Sequence, residues 1–306
     1  MACIESVATA TSRRRLFPRG ALRLADDALT RCIEEAGREP GELDLLVNAG
    51  IYREKNLAEP ALAAMIQEDI GANPGHPPRE HAHGTFSFDI ANGGSGVVTG
   101  FEIVDGLIAS QTVELGAIVA SDSDPGNAEH FPFPAAAGAA LLCSSDAGTG
   151  FLGFDSDTFP EFSALFESSL VWRPSRHVLP FSPGGENVLE MTCHDEFAFR
   201  AVDCAEVVLR RFLDTKGLGP GDVDLLVTST FPRTFAADVA RRLGIAPERL
   251  ALPAEGLAGA HTAGVLASLE PALRSGKLSR ARHVLFASVG AGITVAAALY
   301  RHPGAR

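Results

Sequence analysis

Apolar residues recur at helical spacing in two stretches, and each stretch precedes almost the same word. In "ALRLADDALTRCIEEAGREPGELD", Leu22, Ala25, Ala28, Leu29, Cys32 and Ile33 fall on one helix face. In "FRAVDCAEVVLRRFLDTKGLGPGDVD", Val202, Ala205, Val208, Leu209 and Phe212 do the same. Each helix is expected to stop at a Gly/Pro break and to lead into an unbroken apolar run, Leu45-Leu46-Val47 or Leu225-Leu226-Val227. Runs without polar alternation predict strands covered on both faces. A second helix ending in glycine follows in each copy, "ALAAMIQEDIG" and "FAADVARRLGI". A short strand and a Gly/Ala-rich turn into a buried helix come next, in "FSFDIANGGSGVVTGFEIVDGLIAS" and "LALPAEGLAGAHTAGVLASLEPALRSG", and then a closing strand, "GAIVASDS" or "HVLFASVG". Each half therefore reads helix, strand, helix, strand, helix, strand.

The words "PGELDLLV" at Pro40 and "PGDVDLLV" at Pro220 mark a duplication at a spacing of 180 residues. Two copies are too few, and the period too long, for a solenoid. Two such halves packed together predict a layered α/β architecture, one compact pseudo-two-fold unit divided into 1–160 and 161–306. Between the halves, Gly150 to Val188 is rich in Phe, Ser and Pro and predicts loops that cap a site or form an interface. "NPGHPPREHAHG" predicts another loop.

Composition narrows the partners. The 306 residues are 46% hydrophobic, enough for a substantial core, and carry a net charge of −12. An acidic surface repels phosphate backbones, which argues against nucleic acid. The one basic cluster, Arg13 to Arg15 with Arg19, is short and expected to be solvated. Five cysteines without a CxxC pair predict reduced thiols in the cytoplasm. No apolar run reaches the length of a membrane span and no signal-peptide pattern opens the chain.

Several residues invite chemistry. Ser95 in "GGSG" departs from a nucleophile elbow because Val97 stands where the last glycine belongs, so a backbone-bonding role at the helix start is expected. His261 lies in a turn expected to face a pocket, where a neutral imidazole serves as a base or hydrogen-bond donor. A Ser95–His261 dyad lacks a nameable third, orienting group. His76, His81 and His83 lack regular ligand spacing, and no metal or other cofactor is expected. Cys193-His194-Asp195 are sequence neighbours that do not face one another, and Cys143 ends the apolar strand Ala139–Leu142 as a core thiol.

The duplicated pattern resembles the thiolase superfamily, and most closely its ketoacyl-ACP synthase III branch, over residues 20 to 301. The resemblance rests on "FDIANGGSGVVTGF", on "LAGAHTAGVLASL" and on "ASVGAGITVAAALYR". It implies a thiolase-like αβαβα fold and a cysteine, a histidine and an asparagine at the reacting centre. The positions matching that triad hold Gly94, Ser229 and Ala260. Glycine carries no acyl group, so a condensation through a thioester at Gly94 is excluded. The backbone of Gly94 and of the turn from Gly290 to Gly292 would still line an oxyanion or acyl pocket, with volume left beside Gly94.

The resemblance also implies a further strand and a lobe ahead of the first helix, with a tryptophan stacking on the CoA adenine. Here about twenty residues precede that helix, and the sole tryptophan is Trp172. A "GDGA"-like turn is replaced by "PAAAGAA". Both departures argue against ordinary CoA binding. The expected role is a non-catalytic or acyl-binding subunit in fatty-acid, polyketide or other secondary-metabolite biosynthesis. It would form a homodimer, or a heterodimer with a catalytically competent homologue, and meet acyl thioesters of CoA or carrier protein. The alternative is an acyltransferase or thioesterase-like enzyme that uses His261 and backbone donors.

Overall fold

The computed structural model describes residues 1–12, 20–73, 84–126, 128, 130–145, 148–174 and 185–304. The basic cluster after Ser12 and the histidines at 76, 81 and 83 lie outside the described residues. The first half runs β1 (Ala2–Thr11), α1 (Ala21–Ala36), β2 (Leu45–Asn48), α2 (Leu62–Ile70), β3 (Phe86–Asp89), α3 (Gly96–Ala109), β4 (Leu115–Asp122) and β5 (Ala136–Ser144). The second runs β6 (Gly150–Thr158), β7 (Phe166–Pro174), β8 (Gly185–Cys193), α4 (Glu196–Thr215), β9 (Leu225–Thr228), α5 (Phe235–Leu243), α6 (Gly264–Arg274), α7 (Lys277–Arg280), β10 (Val284–Gly290) and β11 (Thr294–Arg301).

The repeated word performs the same task twice. Pro40–Glu42 and Pro220–Asp222 each form a 3-10 turn. The Glu42 carboxylate accepts the Glu39 N–H at 2.7 Å, and Asp222 accepts that of Gly219 at 2.8 Å. The aspartate two residues on then ties down the start of the neighbouring strand. Asp44 accepts the N–H groups of Glu114 and Leu115 at 2.7 and 2.9 Å, and Asp224 those of Arg282 and His283, both at 3.0 Å. These bonds set β2 beside β4 and β9 beside β10, both in parallel register.

One sheet has the order β1-β5-β4-β2-β3 and the other β6-β11-β10-β9. Side chains alternate between two cores along the central strands of both sheets. Leu45, Val47, Leu225, Val227, Val284 and Phe286 point to a central core shared with α3 and α6. Leu46 faces an outer core with α1 and α2, while Leu226 and Leu285 face the opposite outer core with α4 and α5. The result is five layers, α/β/α/β/α, and it explains why these strands carry no polar alternation.

Four expectations change. The short strand expected in the second half within "LALPAEG" is reduced to an isolated bridge between Leu226 and Leu250. A strand, β1, does precede the first helix and pairs antiparallel with β5. Residues 150–158 form β6, not a loop, and pair with β11. Phe166 to Cys193 supplies the hairpin β7–β8. β1 ("ACIESVATAT") and β6 ("GFLGFDSDT") are built from small and polar residues, which carry little apolar periodicity for a sequence reading to detect.

Candidate functional site

The carboxyl end of β4 and the turns leading into α3 and α6 converge at one place. β4 is buried along its whole length, yet it ends in Asp122, which is 1% exposed. A carboxylate so placed requires donors, and four are present. Oδ1 accepts the N–H groups of Ile51 and Tyr52 at 3.1 and 2.8 Å. Oδ2 accepts the N–H and hydroxyl of Thr262 at 2.8 and 2.5 Å, just ahead of α6. Asp122 therefore holds a turn of the first half against the helix entry of the second.

His261 precedes that threonine. Its Nδ1 lies 3.6 Å from Asp122 Oδ2 and makes no hydrogen bond, and the side chain is 5% exposed. Aromatic rings surround the imidazole. Phe133 stacks on it at a centroid distance of 4.5 Å, with Tyr52 at 5.4 Å, Phe166 at 6.2 Å and Phe231 at 6.3 Å. Burial pushes the Asp122 carboxyl up, but the His261 contact together with the Thr262 and Tyr52 donors outweighs it, so Asp122 titrates below the usual carboxylate range.

Opposite the imidazole lies the glycine turn before α3. Gly94 is buried, and a Cβ there would lie 2.3 Å from the Val289 carbonyl oxygen. The volume expected beside Gly94 is thus taken up by the backbone of β10. Gly93, at φ 51°, is the residue that faces His261. A Cβ at position 93 would lie 4.0 Å from His261 Nε2 and 3.6 Å from the Ala291 nitrogen. Gly290 packs on this turn, its own Cβ position 3.4 Å from the Gly94 nitrogen, whereas Gly292 looks toward Thr294.

The remaining sequence candidates separate. The Ser95 hydroxyl donates to the Thr294 carbonyl at 3.1 Å. Ser229 is buried and its hydroxyl accepts the Val289 N–H at 3.3 Å. Ala260 is buried and its carbonyl accepts from the Thr230 hydroxyl at 2.9 Å. Cys143 pairs in register with Leu115, at the end of β4 away from Asp122, a separation of about 23 Å at strand rise. Its sulfur lies 3.5 Å from that of Cys3, and the Cys3 contact and burial raise its pKa. Cys193 is exposed at the end of β8, and Asp195 stands at the start of α4.

Sequence reasoning missed Asp122 and the aromatic rings. One signal for Asp122 was available: a carboxylate closing a strand that is otherwise apolar, in "LGAIVASD". Among the described residues no group of three or more His, Cys, Asp or Glu side chains is arranged to hold a metal ion. None of the described helices is long and apolar enough to cross a membrane.

Comparison with known proteins shows what the chain and its fold are similar to. Residues 213–302 match the family described as 3-Oxoacyl-[acyl-carrier-protein (ACP)] synthase III C terminal. A beta-ketoacyl-[acyl-carrier-protein] synthase III of Erythrobacter litoralis is 24% identical over 291 residues, covering 91% of this chain and 83% of the relative. One from Desulfitobacterium hafniense is 26% identical over 281 residues, covering 91% and 82%. The crystal structure of 3-oxoacyl-[acyl-carrier-protein] synthase III from Aquifex aeolicus superposes with a TM-score of 0.80 at 18% identity, covering 99% of this chain and all of that one.

Proposed function

Because this chain is a ketoacyl-[acyl-carrier-protein] synthase III-like protein with the thiolase-like fold, we propose that it is a non-condensing subunit that binds acyl thioesters without becoming acylated. One observation carries the reading. At the position matching the family's nucleophile, Gly94 has no side chain, and the Val289 carbonyl lies 2.3 Å from where a Cβ would stand. A covalent acyl-enzyme at that point has neither an attacking atom nor space. The positions matching the histidine and asparagine, Ser229 and Ala260, are engaged in bonds that hold the scaffold.

The partner in this reading is a homologue that retains the condensing residues, in a heterodimer of fatty-acid, polyketide or related biosynthesis. A net charge of −12 disfavours docking of an acidic carrier protein to this chain alone, so the competent partner would supply the carrier surface. None of the five cysteines is in a disulfide, which supports a reducing cytosolic setting.

Co-expression with a synthase III homologue carrying Cys, His and Asn tests this. The expected result is a stable mixed dimer by native mass spectrometry, in which incubation with acyl-CoA adds an acyl group to the homologue and none to this chain. Acylation of this chain, or condensing activity from it in isolation, would overturn the proposal.

A further inference from the structure

The buried Asp122–His261 pair is not accounted for by a purely structural subunit. Asp122 already has four donors from Ile51, Tyr52 and Thr262, so it is held without the imidazole. His261 in turn has its Nδ1 facing that carboxylate without a hydrogen bond, inside an aromatic cage. An imidazole buried among Phe133, Phe166 and Tyr52 only to fill space would be better replaced by an apolar ring.

The opposite ring nitrogen looks at a space kept open by glycine. The point where a residue-93 side chain would begin is 4.0 Å from His261 Nε2, 3.6 Å from the Ala291 nitrogen and 3.6 Å from the Gly290 Cα. A single atom there meets a base on one side and a backbone amide nitrogen on the other. That is the arrangement an addition to a carbonyl requires. Gly93 is half-buried, while Ala91 and Ala291 are exposed, so the notch opens to solvent on that side.

We propose that His261 is a catalytic base, that Asp122 is its positioning residue, and that the pair directs water onto an acyl thioester whose carbonyl enters the notch at Gly93. The carboxylate, immobilised by its four donors, keeps a proton on Nδ1 and leaves the Nε2 lone pair toward the notch. Nε2 takes a proton from water as the water oxygen bonds to the carbonyl carbon. The resulting oxyanion lies toward the Ala291 nitrogen. On collapse the carbon–sulfur bond breaks, and the sulfur leaves as a thiol with the proton returned from the imidazolium. The products are a carboxylic acid and a free thiol, and no residue is acylated. The imidazolium formed in passing is stabilised by Asp122, whose carboxylate is the nearest described anion.

This inference rests on the thioester-binding reading and is tested separately from it. Binding is measured by calorimetry with a non-hydrolysable ketone analogue of octanoyl-CoA, and turnover by thiol release from octanoyl-CoA. Wild type is expected to bind the analogue and to release thiol saturably. His261→Gln is expected to keep the melting temperature and analogue affinity while losing at least about a hundredfold in kcat. Nitrogen-15 NMR of the histidine ring is expected to show the proton on Nδ1 in wild type and a mixed or reversed tautomer in Asp122→Asn. That readout would not move if Asp122 only held the turn.

Analogue binding without thiol release, or equal rates in wild type and His261→Gln, would overturn the hydrolytic inference and leave the binding reading standing. No analogue binding would overturn both. An Asp122→Asn protein that fails to fold leaves the His261→Gln comparison to decide.

Discussion

Restoring a side chain at position 94 is the most direct perturbation of the site. In Gly94→Ala the new Cβ would start 2.3 Å from the Val289 oxygen, against an ordinary contact of 3.4 Å or more, so one backbone must yield by about 1 Å. Neither yields easily. Val289 is 2% exposed and sits on β10, which is held between β9 and β11 and pairs with Val295. On the other side, the Gly94 turn is tied through the Ser95 hydroxyl to Thr294. Overpacking of this kind costs about 1–3 kcal/mol, and backbone against backbone belongs at the upper end, about 3 kcal/mol. For a chain of this size, whose unfolding entropy scales at about 2.1 cal/mol/K per residue, that predicts a melting temperature lower by roughly 5 °C. Gly93→Ala is the control. Its Cβ meets nothing closer than 3.6 Å, and the cost is that of a positive φ, about 1–2 kcal/mol. Differential scanning calorimetry of the two variants should rank Gly94→Ala as the more damaging. Gly94→Cys should be equally destabilised and gain no acyl group from acyl-CoA by intact mass. A Gly94→Ala protein as stable as wild type, or a Gly94→Cys protein that condenses, would refute the reasoning.

Other consequences follow from titration and packing. Burial, with the charge of Asp69 next to it, raises the Asp26 carboxyl from an ordinary 3.8 to about 7. Folding then favours its protonated form, so its contribution is fully present below pH 3.8 and is lost as pH rises through about 7. The full displacement corresponds to about 4 kcal/mol, which water at this half-exposed group screens to about 1–2 kcal/mol. Asp26→Asn should therefore stabilise the protein by that amount at pH 8 and by little at pH 4, as measured by urea denaturation. Asp122 behaves oppositely. Its lowered folded-state pKa supplies stability above the unfolded value near pH 4 that is lost as pH falls through the folded one. Asp122→Ala, which strands four donors in the interior, should cost at least about 3 kcal/mol and flatten that acid limb in pH-dependent melts. Cys3 and Cys143 are register partners with sulfurs 3.5 Å apart. Diamide should join them in one intramolecular disulfide, detected as a loss of two hydrogens in the intact mass and absent in Cys3→Ser.

Much of the architecture was legible along the chain. Helical periodicity and unbroken apolar runs are local properties, set by neighbours three or four residues apart and by burial on two faces, so they located α1, α4, β2, β9, β4 and β10 directly. Within the duplicated "PG" word only the Glu42 and Asp222 bonds are local, three residues apart, whereas Asp44 and Asp224 bond strands that lie 70 and 58 residues further along the chain. β1, β6 and the β7–β8 hairpin were not legible, since their small and polar residues become strands only by pairing with segments distant in the chain.

The site divides in the same way. The sequence by itself determined that residues 93 and 94 have no side chains and that His261 stands in the turn before α6. Only the tertiary structure decided that position 94 points into the Val289 carbonyl, that position 93 faces the imidazole, and that Asp122 from the other half lies beside His261. The physical reason is that the absence of a side chain is written in one letter. Its surroundings are set by how two sheets and the helices between them pack, and that depends on contacts between residues far apart in the chain.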